Sequence, residues 1–237
     1  MVNLKHILFL DIETVPENSD FLNLDETKKE LFAKKTQYQR REDISPEEFY
    51  ERAGIWAEFG KIVCISVGFF DDNDDHKKFR IKSFYGKDEI KILKDFKEIV
   101  ESYFQLEHHV LCAHNGKEFD FPYIARRMII NGISLPEKLN LFGKKPWEVA
   151  HLDTLEMWKF GDYKHYTSLN LLTNILGIES PKGDIDGSQV AKVYYEEMDL
   201  ERIAIYCEND TLAVAQVYLR FMNLDILEDK QVIRVEN

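Results

Sequence analysis

Acidic side chains stand at three places in the sequence where apolar or capping residues would cost less free energy. Asp11 and Glu13 directly follow an apolar run, and Asp120 lies between two phenylalanines shortly after an Asn-Gly pair. Asp210 falls on a helical stripe that is otherwise apolar. Burying a carboxylate without compensation costs several kcal/mol. Acids in these positions therefore predict a compensating partner.

Divalent cations are the partner that such a set of carboxylates predicts. Mg²⁺ and Mn²⁺ prefer oxygen ligands and cancel the repulsion between neighbouring acids. Two such ions would balance the four negative charges and leave a near-neutral pocket for a phosphodiester, as two-metal phosphoryl chemistry requires. Tyr206 lies one turn before Asp210 on a helix predicted from 199 to about 222, so its phenol projects into the same space.

The acids can act together only if the elements that carry them converge. Alternate residues of a strand point to one face, so Asp11 and Glu13 can reach one point just beyond a strand predicted over 5–11. Asp120 stands at the start of a predicted helix, where capping that helix is its alternative role.

The other periodicities predict the order of these elements. Three strands in succession are followed by helix, strand, helix, strand and then helices, which indicates an α/β fold with a mixed central sheet and helices on both faces. We expect one domain over 1–237, with a mostly helical insertion at about 17–58 in which Ser45 caps a helix. The further strands are predicted at 61–70, 79–85, 108–115 and near 148–153, and the helices at 87–105, 119–133 and from 167 onward.

Composition narrows the class of protein. The 237 residues carry a net charge of -12, which argues against coating duplex nucleic acid or membrane through overall electrostatics. The three cysteines lie far apart and form no zinc-binding pattern. No signal peptide and no apolar run of transmembrane length is present, so we expect a soluble cytoplasmic protein that does not enter membranes.

The segments "FLDIET", "HNGKEFDFPYIARR" and "YCEND" resemble, in order and spacing, the three motifs of the DEDD superfamily of 3'-5' exonucleases. The likeness is greatest to stand-alone proteins related to the proofreading exonuclease domain of family B DNA polymerases. It implies a ribonuclease H-like fold, and metal ligation by Asp11, Glu13, Asp120 and Asp210. A tyrosine four residues before the last acid resembles the tyrosine type, which implies a catalytic role for Tyr206.

The resemblance implies metal-dependent hydrolysis at 3' ends, with release of nucleoside 5'-monophosphates. Because the chain is acidic, we expect short single-stranded DNA ends as substrate. No polymerase domain fits in the sequence, so the enzyme would act on products of another protein, in editing, repair or turnover, and replication or repair partners are not identified. An RNA 3'-end trimming enzyme, a catalytically inactive nucleic-acid-binding module and a purely structural α/β protein are the alternatives.

Residues near the motifs are candidates for substrate contact. Thr14 could cap the strand end or contact the terminal nucleotide, and His114 could contact substrate or be a structural, hydrogen-bonded histidine. Asn115 is a third candidate. Of Arg126 and Arg127, one would approach the phosphate while the other faces solvent.

Two residues further along the chain have open roles. Lys182 lies in a Gly-containing loop, where it could belong to a turn or face the nucleic acid. Asp153 could support a metal ligand or cap the following helix, and the structural role is favoured.

Overall fold

A six-stranded mixed sheet forms the centre of the computed structural model, which describes residues 3–41, 43–71, 77–162, 164, 166–179 and 184–235. The strands are β1 (Ile7–Pro16), β2 (Gly60–Asp71), β3 (Lys78–Tyr85), β4 (Val110–Ala113), β5 (Leu152–Asp153) and β6 (Val232–Arg234). Their order in the sheet is β5-β4-β1-β2-β3-β6. The first three strands pair antiparallel, while β4 is parallel to β1, β5 to β4 and β6 to β3.

Helices cover both faces of this sheet because successive residues of β1 point to opposite sides. The α-helices are α1 (Glu26–Thr36), α2 (Pro46–Phe49), α3 (Glu89–Tyr103), α4 (Asp120–Ile130), α5 (Thr154–Lys159), α6 (Leu169–Ile175), α7 (Val190–Lys192) and α8 (Leu200–Phe221). On one face of the sheet Leu8 and Leu10 pack with α3 and α4, and on the other Ile7 and Phe9 pack with α8. The odd-numbered acids of β1, Asp11 and Glu13, therefore fall on the side of α8.

The segment between β1 and β2 has a small apolar core of its own. Phe32 of α1 is fully buried there and makes edge-on contacts with the rings of Tyr50 and Phe59. Ser45 forms the expected capping box with Glu48 at the start of α2. The helix-prone character of this segment is thus observed, and α1 is its longest helix.

The α/β class and the order of elements agree with the sequence prediction, with two differences at the sheet. β1 begins later than predicted and continues through the acids to Pro16, so Asp11 and Glu13 lie within the strand rather than at its end. β6 was not predicted; it adds three residues beside β3. Within the described ranges, no helix has both the length and the apolar character needed to cross a membrane.

Candidate active site

The strand β1 holds two of the predicted acids rigidly. Asp11 is half-buried and Glu13 is buried, between apolar neighbours of the strand. The pairing with β2 shifts register between Glu13 and Thr14, which leaves Val63 of β2 without a direct partner. Such bulges bend a strand locally and change the direction of its side chains. The bulge therefore lies directly after Glu13, where it can change the direction of the Glu13 side chain.

Asp120 approaches the same place from the start of α4. It is the first residue of that helix and is only 3% exposed. The backbone N–H groups of Asp120 itself and of Ile12 in β1 lie near its carboxylate and lower its pKa, against the larger effect of burial. The beginning of α4 therefore lies next to the strand that carries the other two acids.

The helix α8 supplies the fourth acid, the tyrosine and a thiol. The phenol of Tyr206 lies beside the carboxylate of Asp210, as their spacing of four residues allows. Cys207 of the same helix has its Sγ 3.4 Å from Oδ2 of Asp11. Ligand atoms of Asp11, Glu13 and Cys207 all lie within 4.8 Å of one another. Three separate elements, β1, α4 and α8, thus converge on one point.

Electrostatic interaction links each of the four acids to the other three. Burial raises the pKa of Asp11 and of Glu13 well above the ordinary range, and the neighbouring carboxylates raise both further. Burial is also the largest cause of the raised pKa of Asp120, about 7, and of Asp210, about 6. Without a counter-charge, this cluster would hold protons that isolated acids would release.

The donor set of the cluster fits hard divalent cations. Its oxygen ligands are the type that Mg²⁺ and Mn²⁺ take. The soft ligand that lies within 4.8 Å of Asp11 and Glu13, the Cys207 thiol, has a pKa raised well above its usual value, chiefly by burial. Because a protonated thiol is a poor metal ligand, the carboxylates of Asp11, Glu13, Asp120 and Asp210 are the residues that could hold such ions.

A cleft of about 770 Å³ opens onto the cluster. Asp11, Tyr206 and Asp210 line it, together with residues of α6 and with His114 and Tyr166. A second groove of similar volume, about 760 Å³, lies between α4, α5 and the segment 139–149 and touches none of the four acids. The cleft at the acids is therefore the one through which a substrate would reach them.

The predicted substrate-contact residues are placed differently from one another. Both ring nitrogens of His114 are hydrogen-bonded, Nδ1 to Thr154 and Nε2 to the carbonyl of Thr167, although the residue lines the cleft. Asn115 adopts a positive φ of 62°, and its side chain lines the second groove. Arg126 is exposed and lines that groove as well.

Arg127 faces neither solvent nor the acid cluster, so the prediction that it contacts a phosphate or lies in solvent is wrong. Its guanidinium is buried and makes two hydrogen bonds to the Glu89 carboxylate, at 2.8 and 2.6 Å. A third donor goes to the carbonyl of Ala57. Arg127 therefore joins α4 to α3 and to the segment before β2.

Thr14 and Lys182 complete the candidates. Thr14 is half-buried in β1, one residue beyond Glu13, and lies near the phenol of Tyr123, which donates a hydrogen bond to the carbonyl of Gly54. Lys182 lies outside the described residues.

Asp153 acts as a structural anchor in the loop that leads to Asp120. It is 4% exposed and accepts hydrogen bonds from the backbone N–H groups of Asn115, Lys117, Leu155 and Glu156. Two of these donors begin α5 and two belong to the turn after β4. Asp153 thus fixes the turn that positions Asp120, and it also raises the pKa of Asp120.

The sequence did not reveal every residue at the site. The contact of Cys207 with Asp11 was not predicted, because a cysteine on an apolar helical stripe is typical of the hydrophobic core. Asn170 and Asn174 line the cleft from α6. Their spacing of four residues on one helix face was the available signal.

The arrangement defines a class of protein: an α/β protein of ribonuclease H-like fold in which acids from β1, α4 and α8 form one cluster. A family model described as "Predicted 3'-5' exonuclease related to the exonuclease domain of PolB" matches residues 55–233. The chain belongs to this family. The matched range contains Asp120 and Asp210, whereas Asp11 and Glu13 precede it.

Among solved structures, the chain is similar to the family B DNA polymerase from the hyperthermophilic archaeon Pyrobaculum calidifontis. The TM-score is 0.54 at 18% sequence identity, over 91% of this chain and 25% of that one. At this identity the likeness shows the fold alone. This chain spans about a quarter of the length of that polymerase chain. The predicted kinship with the exonuclease domains of family B polymerases is confirmed.

Proposed function

We propose that this protein is a 3'-5' exonuclease that hydrolyses phosphodiester bonds at the 3' end of single-stranded DNA and releases nucleoside 5'-monophosphates. The observation that carries the proposal is the convergence of four acids with raised pKa values from β1, α4 and α8. Membership of a family of predicted PolB-related exonucleases supports the same reaction.

Asp11, Glu13, Asp120 and Asp210 are the ligands we propose for two divalent cations, Mg²⁺ or Mn²⁺. Bound ions of this kind activate a water molecule as nucleophile and stabilise the leaving 3' oxygen. The four carboxylates place negative charge at fixed positions on one strand and two helices. Their mutual repulsion and their burial destabilise the charged forms, and cation binding would remove part of this cost in free energy.

Tyr206 is proposed to orient the attacking water. Burial and the neighbouring acids raise the pKa of its phenol far above neutral pH, so the hydroxyl keeps its proton. A protonated phenol cannot serve as a general base, but it can donate one hydrogen bond and accept another. Tyr206 lines the cleft beside Asp210, at the cluster. Positioning, rather than proton removal, is therefore its role.

The choice of a single-stranded end rests on charge and on the cleft. A net charge of -12 disfavours a broad duplex interface. Tyr166 on the cleft wall is 67% exposed, and an exposed aromatic ring there can stack on a base without regard to sequence. The relationship to exonuclease domains of DNA polymerases favours DNA over RNA.

The test uses oligonucleotides labelled at the 5' end, of DNA and of RNA, single-stranded and recessed, with Mg²⁺ or Mn²⁺. We expect a ladder that shortens from the 3' end, fastest on single-stranded DNA, and mononucleotides that carry a 5' phosphate. The matched control is Asp11→Asn, which keeps the side-chain shape and should leave no ladder. Faster shortening of RNA would assign the protein to RNA trimming instead, and internal cuts or an active Asp11→Asn variant would contradict the proposed chemistry.

A further inference from the structure

Three histidines form a cluster that the proposed exonuclease reaction does not use. His6 ends the short helical turn before β1, and His108 and His109 precede β4. One ring nitrogen from each of the three lies within 4.8 Å of the others. The ring centroids of His6 and His108 are 4.2 Å apart, and those of His108 and His109 are 4.6 Å apart.

The sheet itself brings these residues together. The first register pair of the parallel strands β1 and β4 is Ile7 with Val110, and His6 and His109 are the residues immediately before them. Neighbouring strands lie about 4.8 Å apart. The two imidazoles therefore start from backbone positions that are opposite each other, and His108 adds a third from the same turn.

His109 carries a nitrogen that has no partner within the protein. Its Nδ1 is buried and makes no hydrogen bond to any described residue. A histidine binds a metal ion through an unprotonated ring nitrogen, and a buried Nδ1 that makes no hydrogen bond can serve as that ligand. A buried polar nitrogen without a partner otherwise costs free energy.

The ligand type selects the ion. Neutral imidazoles suit borderline transition-metal ions such as Zn²⁺, whereas Mg²⁺ and Mn²⁺ prefer the oxygen ligands of the acid cluster. Three nitrogens around a tetrahedral Zn²⁺ at about 2.0–2.1 Å are roughly 3.4 Å apart. Rotations of the partly exposed side chains of His6 and His108 would close that distance. The nearby ammonium of Lys138 is already held by the carbonyls of Leu106 and Glu107.

We propose that His6, His108 and His109 bind one Zn²⁺ ion, with a water molecule as fourth ligand, and that this ion ties the start of β1 to the start of β4. The site is separate from the acid cluster, because Asp11 lies five residues further along β1, about 16 Å at the rise of a strand. Its role is structural: it joins the two central parallel strands at the end opposite the acids.

The experiment measures Zn²⁺ bound per chain by equilibrium titration, with millimolar Mg²⁺ present to occupy the acid cluster. Wild-type protein is compared with His108→Ala, which removes the most exposed of the three rings. We expect the variant to bind one Zn²⁺ fewer, with affinity at that site at least about 100-fold lower. Thermal unfolding provides the second readout, since Zn²⁺ should raise the melting temperature of wild type and leave that of the variant unchanged.

Glu107→Gln is the matched control, because it removes a charge next to the cluster and none of its imidazoles. It should bind Zn²⁺ as wild type does, and Co²⁺ in both proteins should give the visible absorption bands of a low-symmetry nitrogen site. Equal Zn²⁺ binding by wild type and His108→Ala would overturn the proposal. So would an equal loss in Glu107→Gln, since it would assign the ion to the acidic surface. If His108→Ala fails to fold, His6→Ala provides the same comparison.

Discussion

Replacing Asp120 by asparagine should stabilise the metal-free protein, although it removes a proposed metal ligand. A pKa of about 7 in the folded state, against an ordinary 3.8, means that the native protein binds this proton more tightly than the unfolded chain does. Above pH 7 the charged carboxylate therefore costs roughly 4 kcal/mol of stability. Asp120→Asn keeps the shape and one acceptor oxygen, so we expect a gain of about 2 to 4 kcal/mol. At about 3 °C per kcal/mol for a chain of this size, the melting temperature should rise by roughly 6 to 12 °C.

The assay is thermal unfolding of wild type and Asp120→Asn in the presence of EDTA, repeated at several pH values and with added Mg²⁺. The gain should be full above about pH 7 and should vanish below about pH 3, where the carboxyl is protonated in both the folded and unfolded states. Mg²⁺ should stabilise wild type and narrow the difference. A variant that is less stable than wild type at pH 7.5 in EDTA would refute the reasoning.

Asp153→Asn is the matched control for this experiment. Asp153 is as buried as Asp120, at 4% against 3% exposed, but four backbone N–H groups donate to its carboxylate. An amide nitrogen would face some of these donors, so Asp153→Asn should lower stability by about 1 to 3 kcal/mol. Equal effects of the two substitutions would mean that burial alone, and not the acid cluster, decides the result.

Three further predictions concern the tyrosine, the buried ion pair and pH. Tyr206→Phe should slow turnover about 5- to 30-fold, which corresponds to one to two kcal/mol of hydrogen bonding, while Mn²⁺ affinity stays within about twofold. A loss of Mn²⁺ binding would contradict a positioning role. Arg127→Ala should lower the free energy of unfolding by about 3 to 5 kcal/mol in urea titrations, because it leaves Glu89 buried and unpaired, yet turnover per folded molecule should be unchanged. Turnover should rise with pH through about 6 to 7, because Asp210 and Asp120 lose the protons that compete with cations there. The midpoint of this pH profile should fall as the Mg²⁺ concentration is increased. A midpoint that does not depend on Mg²⁺ would argue against this competition.

The acid cluster could be predicted because each acid broke a local pattern. Asp210 interrupts an apolar helical stripe, and Asp11 and Glu13 alternate within an apolar strand, so the periodicity of each element already fixed the face on which the acid lies. The extension of β1 to Pro16 could not be read in the same way, because it depends on pairing with β2 across a bulge. Register shifts of this kind are set by the partner strand and leave no mark on the strand's own sequence.

Long-range pairs account for the other differences. The position of Arg127 beside a motif suggested a phosphate contact. Its partner in the structure is Glu89, which lies 38 residues earlier in the chain and comes close only in the folded protein. The strand β6 has three residues and no alternation long enough to detect, and its position is set by β3. His108 and His109 lie more than 100 positions after His6 in the sequence. They come together only because β1 and β4 are neighbours in the sheet.

The most direct test of the central claim is the rate of mononucleotide release from the 3' end of 5'-labelled single-stranded DNA, measured for wild type and for Asp210→Asn at saturating Mg²⁺. Asp210 lies on α8 and interacts with Asp11 and Glu13 of β1, so its removal tests whether the acids act as one site. We expect steady release by wild type and a loss of at least about 1,000-fold in the variant, provided that the variant unfolds at or above the wild-type temperature in EDTA. Equal release by the two proteins would contradict a catalytic role for the acid cluster.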